Sequence, residues 1–214
     1  MKGQFIPYGD DNPRQRYPYV AVGLIAINCC VFFLSLFDFK NVIHTFGFIP
    51  AKFSLLTMFT SMFLHGGVFH LGFNMLFLYI FGDNVEDRFG HMTLLAFYIL
   101  SGLIGGIVHF VSGPLSAIPA IGASGAISGI MGAYLSIFPR TKIKALMFYT
   151  LLRVPAYMLL TFWFIIQLIF GALAYNPEAG GVAFFAHIGG FAFGYLAGRA
   201  YNRGLWKSLE SGYG

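Results

Sequence analysis

Ser124, His187, His70 and Asn74 are the residues of this chain whose types could do hydrolytic chemistry together. A serine hydroxyl is a weak nucleophile and needs an adjacent base. Ser124 sits in Gly122-Ala-Ser-Gly125, and His187 in Ala186-His187-Ile188-Gly189-Gly190 is the candidate base. His70 and Asn74 are four residues apart, hence on one helical face, and both can donate hydrogen bonds to a developing oxyanion. His109, Ser128 and Gln167 are further polar groups inside apolar runs. No carboxylate accompanies them: Asp83, Glu86 and Asp87 lie at the end of their run, and Asp38 and Glu178 lie in loops. A nucleophile and base here would form a dyad without the acidic third member. Each piece also has a plainer reading. A serine at a helix start is commonly an N-cap, and Gly125-x3-Gly129 is commonly a packing device. His109 reads as hydrogen-bonded structure, and His65 and His91 as interface residues.

Whether these groups meet depends on the elements that carry them, and composition fixes their solvent. The 214 residues are 57% hydrophobic and 10% charged, with a mean hydropathy of +0.73. Soluble domains carry about 25% charged residues, so lipid must cover most of this surface. The 26 Phe and 12 Tyr fit lipid-exposed helices, and the 27 Gly fit helices that touch closely. A soluble domain, a disordered chain and a collagen-like repeat are excluded. The net charge of +5 reads as topology rather than as a nucleic-acid footprint. Cys29 and Cys30 are adjacent in an apolar run and imply no disulfide framework. The polar, proline-containing start lacks the pattern of a cleaved signal, so the first apolar run is expected to be a retained anchor.

Runs long enough to cross a bilayer core of about 30 Å are Tyr19–Phe37, Met92–Val111, Ala156–Tyr175 and Val182–Gly198. Two interrupted apolar runs, Phe69–Val85 and Ser124–Phe138, complete the six expected spans. Phe53–Leu64 would reach only about 18 Å as a helix, so Asp38–Val68 is expected to be a membrane-associated loop. Ala145–Thr150 reads as an interfacial patch for the same reason. The expected fold is all-α: a polytopic six-transmembrane-helix bundle with a membrane-associated first loop. Residues 1–18 and 200–214 are read as cytoplasmic tails, and 19–199 as one domain. With six spans, eleven of the 13 basic residues fall on one side, leaving Lys40 and Lys52 opposite. The positive-inside rule then puts both termini in the cytoplasm of a cell (plasma or inner) membrane.

Depth brings the candidates together. At about 1.5 Å per helical residue, Ser124 lies roughly 22 Å above the cytoplasmic boundary and His187 roughly 18 Å. On the same ruler Asn74 and His70 lie roughly 14 and 20 Å up. Pro114 and Pro119 keep Ser112–Gly122 from being helical, so the fourth span starts late, with Ser124 at its N-terminus. Free backbone N–H groups and the positive dipole end there can hold an oxyanion. The Gly190-x3-Gly194-x3-Gly198 ridge suits close approach to the glycine-bearing fourth span.

These motifs, in chain order, resemble the rhomboid family of intramembrane serine proteases. The resemblance rests on His65-x4-His70-x3-Asn74, Gly82-x3-Glu86-x3-Gly90, Gly122-Ala-Ser-Gly125, and Ala186-His187-x-Gly189-Gly190-x3-Gly194, and covers roughly Phe46 to Arg199. It implies that Ser124 attacks the scissile carbonyl and that His187 acts as base and then acid. His70, Asn74 and the Ser124 backbone N–H would hold the oxyanion. Transmembrane proteins would be the substrates and the lipid bilayer the medium. Span five and the loop after it would be gate and cap. Many bacterial members carry Tyr four residues after the nucleophile, beneath the histidine, and this chain has Ser128 there. Phe191, one turn on from His187, is the expected substitute. No cofactor, metal or nucleic acid is expected, and no oligomeric state is read. There is no HExxH zinc motif and no pair of mid-span aspartates. The competing class is a non-catalytic membrane chaperone or transporter, but paired repeats and mid-membrane carboxylates are not visible.

Overall fold

The computed structural model describes residues 5–147, 150–173 and 182–205. Strand β1 (Phe5–Asp10) precedes helices α1 (Tyr19–Ser35), α2 (Phe39–Phe46) and α3 (Leu55–Thr60). Then come α4 (Val68–Phe89), α5 (His91–Ser112), α6 (Ser124–Ile137), strands β2 (Lys142–Met147) and β3 (Thr150–Pro155), α7 (Ala156–Leu173) and α8 (Phe184–Asn202). The chain is a polytopic helical membrane protein. Among the described residues, four helical stretches are long and apolar enough to cross a membrane: 19–46, 68–89, 91–112 and 156–173. The expected end of span five at Tyr175, Glu178 and most of the C-terminal tail lie outside the described residues.

Helix α6, at 14 residues, is the short one, because the proline-bearing segment before it is loop. It is also the most enclosed: every residue from Gly125 to Leu135 is buried. Such a helix needs small residues wherever neighbouring backbones cross it. A Cβ at Gly190 or Gly194 of α8 would overlap the carbonyl oxygen of Gly125 or Gly129 respectively. On the other side, a Cβ at Gly105 of α5 would come within 2.6 Å of the Ala186 carbonyl oxygen. The first turns of α8 are thus wedged between α5 and α6, with no room for a methyl group.

The Gly82-x3-Glu86-x3-Gly90 motif gains a physical reason. A Cβ at Gly82 would lie 3.3 Å from the Ala21 methyl, so α1 and α4 pack closely there. Helix α1 has no side-chain cap of its own. Buried Glu86 supplies one, accepting hydrogen bonds from Val20 N (2.9 Å) and Ala21 N (2.8 Å). A carboxylate at a helix N-terminus also complements the dipole, typically by about 0.3–1 kcal/mol. His91 pairs with the same carboxylate. Gly90 turns the chain from α4 to α5 with φ of 81°, a conformation that favours glycine.

The structure adds a small sheet to the helical bundle. Strands β1, β2 and β3 form an antiparallel sheet in that order. Residues 142–147, partly read as an interfacial patch, are therefore strand, with Ile143 and Ala145 fully buried. Residues 5–16, read as part of a tail, are tied down. Tyr134 OH and Asn84 donate to Asp10, Arg14 pairs with Asp83 at 3.2 Å, and Gln15 N and Arg16 N donate to Asp87. Burial pushes the Asp10 carboxyl up from its ordinary range, and the bond from Tyr134 partly opposes this.

On the opposite side, the long first loop folds into α2, α3 and two short 3-10 turns, Pro50–Lys52 and Ser61–Phe63. It is bound to the loop before α6. Phe48 and Ala120 exchange backbone hydrogen bonds, Ala51 N donates to Ser116 O, and Gly122 N donates to Ser61 O at 2.9 Å. The loop that leads into Ser124 is therefore held from outside the helix pair it feeds.

Candidate active site

Ser124 is the first residue of α6, after a loop whose last glycine has φ of 126°. An L side chain rarely adopts that conformation. Space forbids one as well: a Cβ at Gly122 would lie 2.8 Å from His70 Nε2. Glycine at 122 therefore lets the His70 ring approach the start of α6. The backbone N–H groups of Ser124 and its neighbours lie in the first helical turn, where intrahelical acceptors are lacking.

The Ser124 hydroxyl lies 2.7 Å from His187 Nε2, a normal O–H to N hydrogen bond. His187 is buried in the first turn of α8. Its other ring nitrogen, Nδ1, lies 2.8 Å from Gln167 Oε1 of α7. With Nε2 accepting from the serine, a neutral imidazole carries its proton on Nδ1 and donates it to the amide oxygen.

His70 has the opposite tautomer. Its Nδ1 accepts from Gly66 N at 3.2 Å, so the proton sits on Nε2, the nitrogen nearest Gly122. Asn74 donates one amide hydrogen to the His70 carbonyl at 2.8 Å. Its second hydrogen remains beyond that bond. Ser124, His187, His70, Asn74, His109 and Ser128 all line one cavity of about 720 Å³. The four residues singled out from sequence therefore converge on one space.

His65 is fully buried in the protein, and its ring meets that of His70 edge-on at 5.1 Å. One expectation about the surrounding residues changes. Phe191 stacks on Phe164 at 4.5 Å and packs on Trp163 at 5.8 Å. Trp163 is the ring that flanks the imidazole, with centroids 6.0 Å apart. Ser128 turns its hydroxyl back to the Ser124 carbonyl at 2.6 Å. Gln167 was visible as a polar residue in an apolar run, but nothing in its immediate sequence marks it as a partner of His187. Of the expected gate and cap, span five is α7, and the loop residues 174–181 lie outside the described residues.

Sequence comparison decides the lineage. The rhomboid domain family model matches residues 52–203, which include all four of these residues. The chain belongs to the rhomboid family. Among its rhomboid relatives are RHOMBOID-like protein 6, mitochondrial, and RHOMBOID-like protein 1 of Arabidopsis thaliana. They are 36% and 33% identical over 65% and 75% of this chain. Rhomboid protease GluP of Bacillus subtilis is 35% identical over 66% of it. The matched stretches make up 41%, 36% and 25% of those relatives, so the chain spans less than half the length of each.

Proposed function

We propose that this rhomboid is an intramembrane serine endopeptidase that hydrolyses peptide bonds in or near transmembrane segments of membrane proteins. The single observation that carries the reading is the 2.7 Å contact between Ser124 Oγ and His187 Nε2 in a cavity that His70 and Asn74 also line. A serine capping a helix or packing in a core needs no base aimed at its hydroxyl. The kinship with a protein named a rhomboid protease supports the same reading.

In the proposed reaction, Ser124 Oγ attacks the scissile carbonyl while its proton passes to His187 Nε2. The resulting oxyanion accepts hydrogen bonds from His70 Nε2–H, the free Asn74 amide hydrogen and the Ser124 backbone N–H. As the tetrahedral intermediate collapses, Nε2–H protonates the leaving amine and an acyl-Ser124 ester remains. Water then attacks that ester, His187 takes its proton, and the ester bond breaks to regenerate the hydroxyl. No metal or cofactor enters this scheme.

The proposal includes the membrane arrangement: six crossings by residues 19–199, a cell membrane of plasma or inner type, and both termini in the cytoplasm. The asymmetry of basic residues supports it. The functional test is incubation of the purified protein in detergent with a panel of single-span substrates, followed by mass spectrometry of the products. Wild type should cut near the extracytoplasmic ends, and Ser124→Ala should not cut at all. Intact substrates that co-purify with wild type without being cut would instead identify a binding protein.

A further inference from the structure

We infer that Gln167 is the positioning residue of the dyad, fixing the tautomer and orientation of His187 through a hydrogen bond from Nδ1–H to its amide oxygen. This rests on the protease reading above and adds to it the group that stands where an acidic third member is missing.

The geometry is specific. Gln167 is buried on α7, and its Oε1 lies 2.8 Å from Nδ1 while Ser124 Oγ lies 2.7 Å from Nε2. The imidazole is therefore bracketed along its length by two side chains from different helices. A neutral imidazole has one N–H and one acceptor nitrogen. The base must offer Nε2 to the serine as an acceptor, so its proton must rest on Nδ1, and an amide oxygen there makes that tautomer the favoured one. An oxygen also stabilises the imidazolium that forms when the serine proton arrives, because that cation keeps its Nδ1–H. An amide oxygen is neutral, so its effect is smaller than a carboxylate's. In return it brings no charge that must be buried in an apolar surrounding.

Among the described residues, the other support of the imidazole is ring contact. Trp163 flanks the imidazole face, which limits tilting but leaves both tautomers equivalent. Ser128 directs its hydroxyl to the Ser124 carbonyl. Among the described residues, the other titratable groups on the same cavity are His70 from α4 and His109 from α5. Both are histidines and neither supplies a negative charge.

The test uses the purified protein and the rate at which a fluorophosphonate phosphonylates Ser124, fluoride leaving, as a function of pH. Gln167→Met keeps the approximate volume and removes the acceptor. Phosphonylation should slow by about 10- to 100-fold, the worth of one hydrogen bond to a group that becomes charged. Its acidic limb should move to lower pH, because the imidazolium has lost a partner. Gln167→Glu restores an acceptor. It should recover most of the rate and move the acidic limb to higher pH, because a carboxylate favours the imidazolium. A residue that only fills space would leave the limb unmoved in Gln167→Met.

Wild-type rate and an unmoved limb in folded Gln167→Met would overturn the inference. Should Gln167→Met fail to fold, the tautomer of wild-type His187 decides. Wild type supplies a check free of substitutions: nitrogen-15 spectra should show neutral His187 protonated at Nδ1, and protonation at Nε2 overturns the assignment. Ser124→Ala is run alongside. If it is phosphonylated like wild type, the protease reading has failed, whereas a dead Ser124→Ala with an unaffected Gln167→Met rejects only the role of Gln167.

Discussion

Replacing Gly190 by Ala should disable hydrolysis without touching any proposed catalytic group. Gly190 lies three residues after His187, nearly one turn along α8, and faces Gly125, the neighbour of Ser124. A Cβ there would overlap the Gly125 carbonyl oxygen, and it would stand 3.0 Å from the Gly125 carbonyl carbon. Ordinary carbon-to-oxygen contacts are about 3.3–3.6 Å, and the neighbour is backbone, which cannot swing aside. The helices must therefore part by roughly 1 Å. The hydrogen bond from Ser124 Oγ to His187 Nε2, 2.7 Å in the native structure, would stretch toward about 3.7 Å, beyond hydrogen-bond reach. A misplacement of about 1 Å at reacting groups costs on the order of 10²-fold in rate. The stability loss from overpacking should be only about 1–3 kcal/mol. The assay is the initial rate of cleavage of a single-span substrate in detergent, with a thermal melt on the same sample. Gly72→Ala is the matched control, because a Cβ at Gly72 meets nothing within 4 Å. Cleavage by folded Gly190→Ala within threefold of wild type would refute the claim that the glycine contact sets the dyad distance.

Removal of either side-chain donor from the oxyanion site should weaken cleavage without abolishing it. His70→Ala and Asn74→Ala should each lower kcat by about 10²–10³, measured on the same substrate; full activity in both would mean that α4 does not serve the reaction. Cysteines introduced at Lys40 and Lys142 should react with an impermeant maleimide from opposite sides of the membrane. Labelling from the same side would contradict the six crossings.

The parts of this molecule that follow from a ruler along each helix were legible in the sequence. Ser124 and His187 share a depth because their distances from the nearest boundary residues are similar, and the glycines of α8 face those of α6 because both repeat every four residues. Gln167 was within reach of the same ruler. It lies eleven residues from Ala156, about 16 Å along the helix, close to the height of His187. Depth alone does not say which face of α7 turns inward, and that face is set by packing against α8. The sheet was harder to read. Ile143 and Ala145 alternate with Lys142 and Lys144, a period of two, but the partner strand β1 lies more than 130 residues away in the chain. Trp163, rather than Phe191, reaches the imidazole because Phe191 is held in a stack with Phe164. Spacing from His187 could not show that competition.

The most direct measurement of the central claim is the site of covalent modification by a fluorophosphonate, mapped by peptide mass spectrometry on the purified protein. The account predicts one adduct, on Ser124, absent in Ser124→Ala, strongly reduced in His187→Ala and retained in Ser128→Ala. An adduct on Ser128 would contradict it, as would labelling that survives Ser124→Ala or labelling at wild-type rate in His187→Ala.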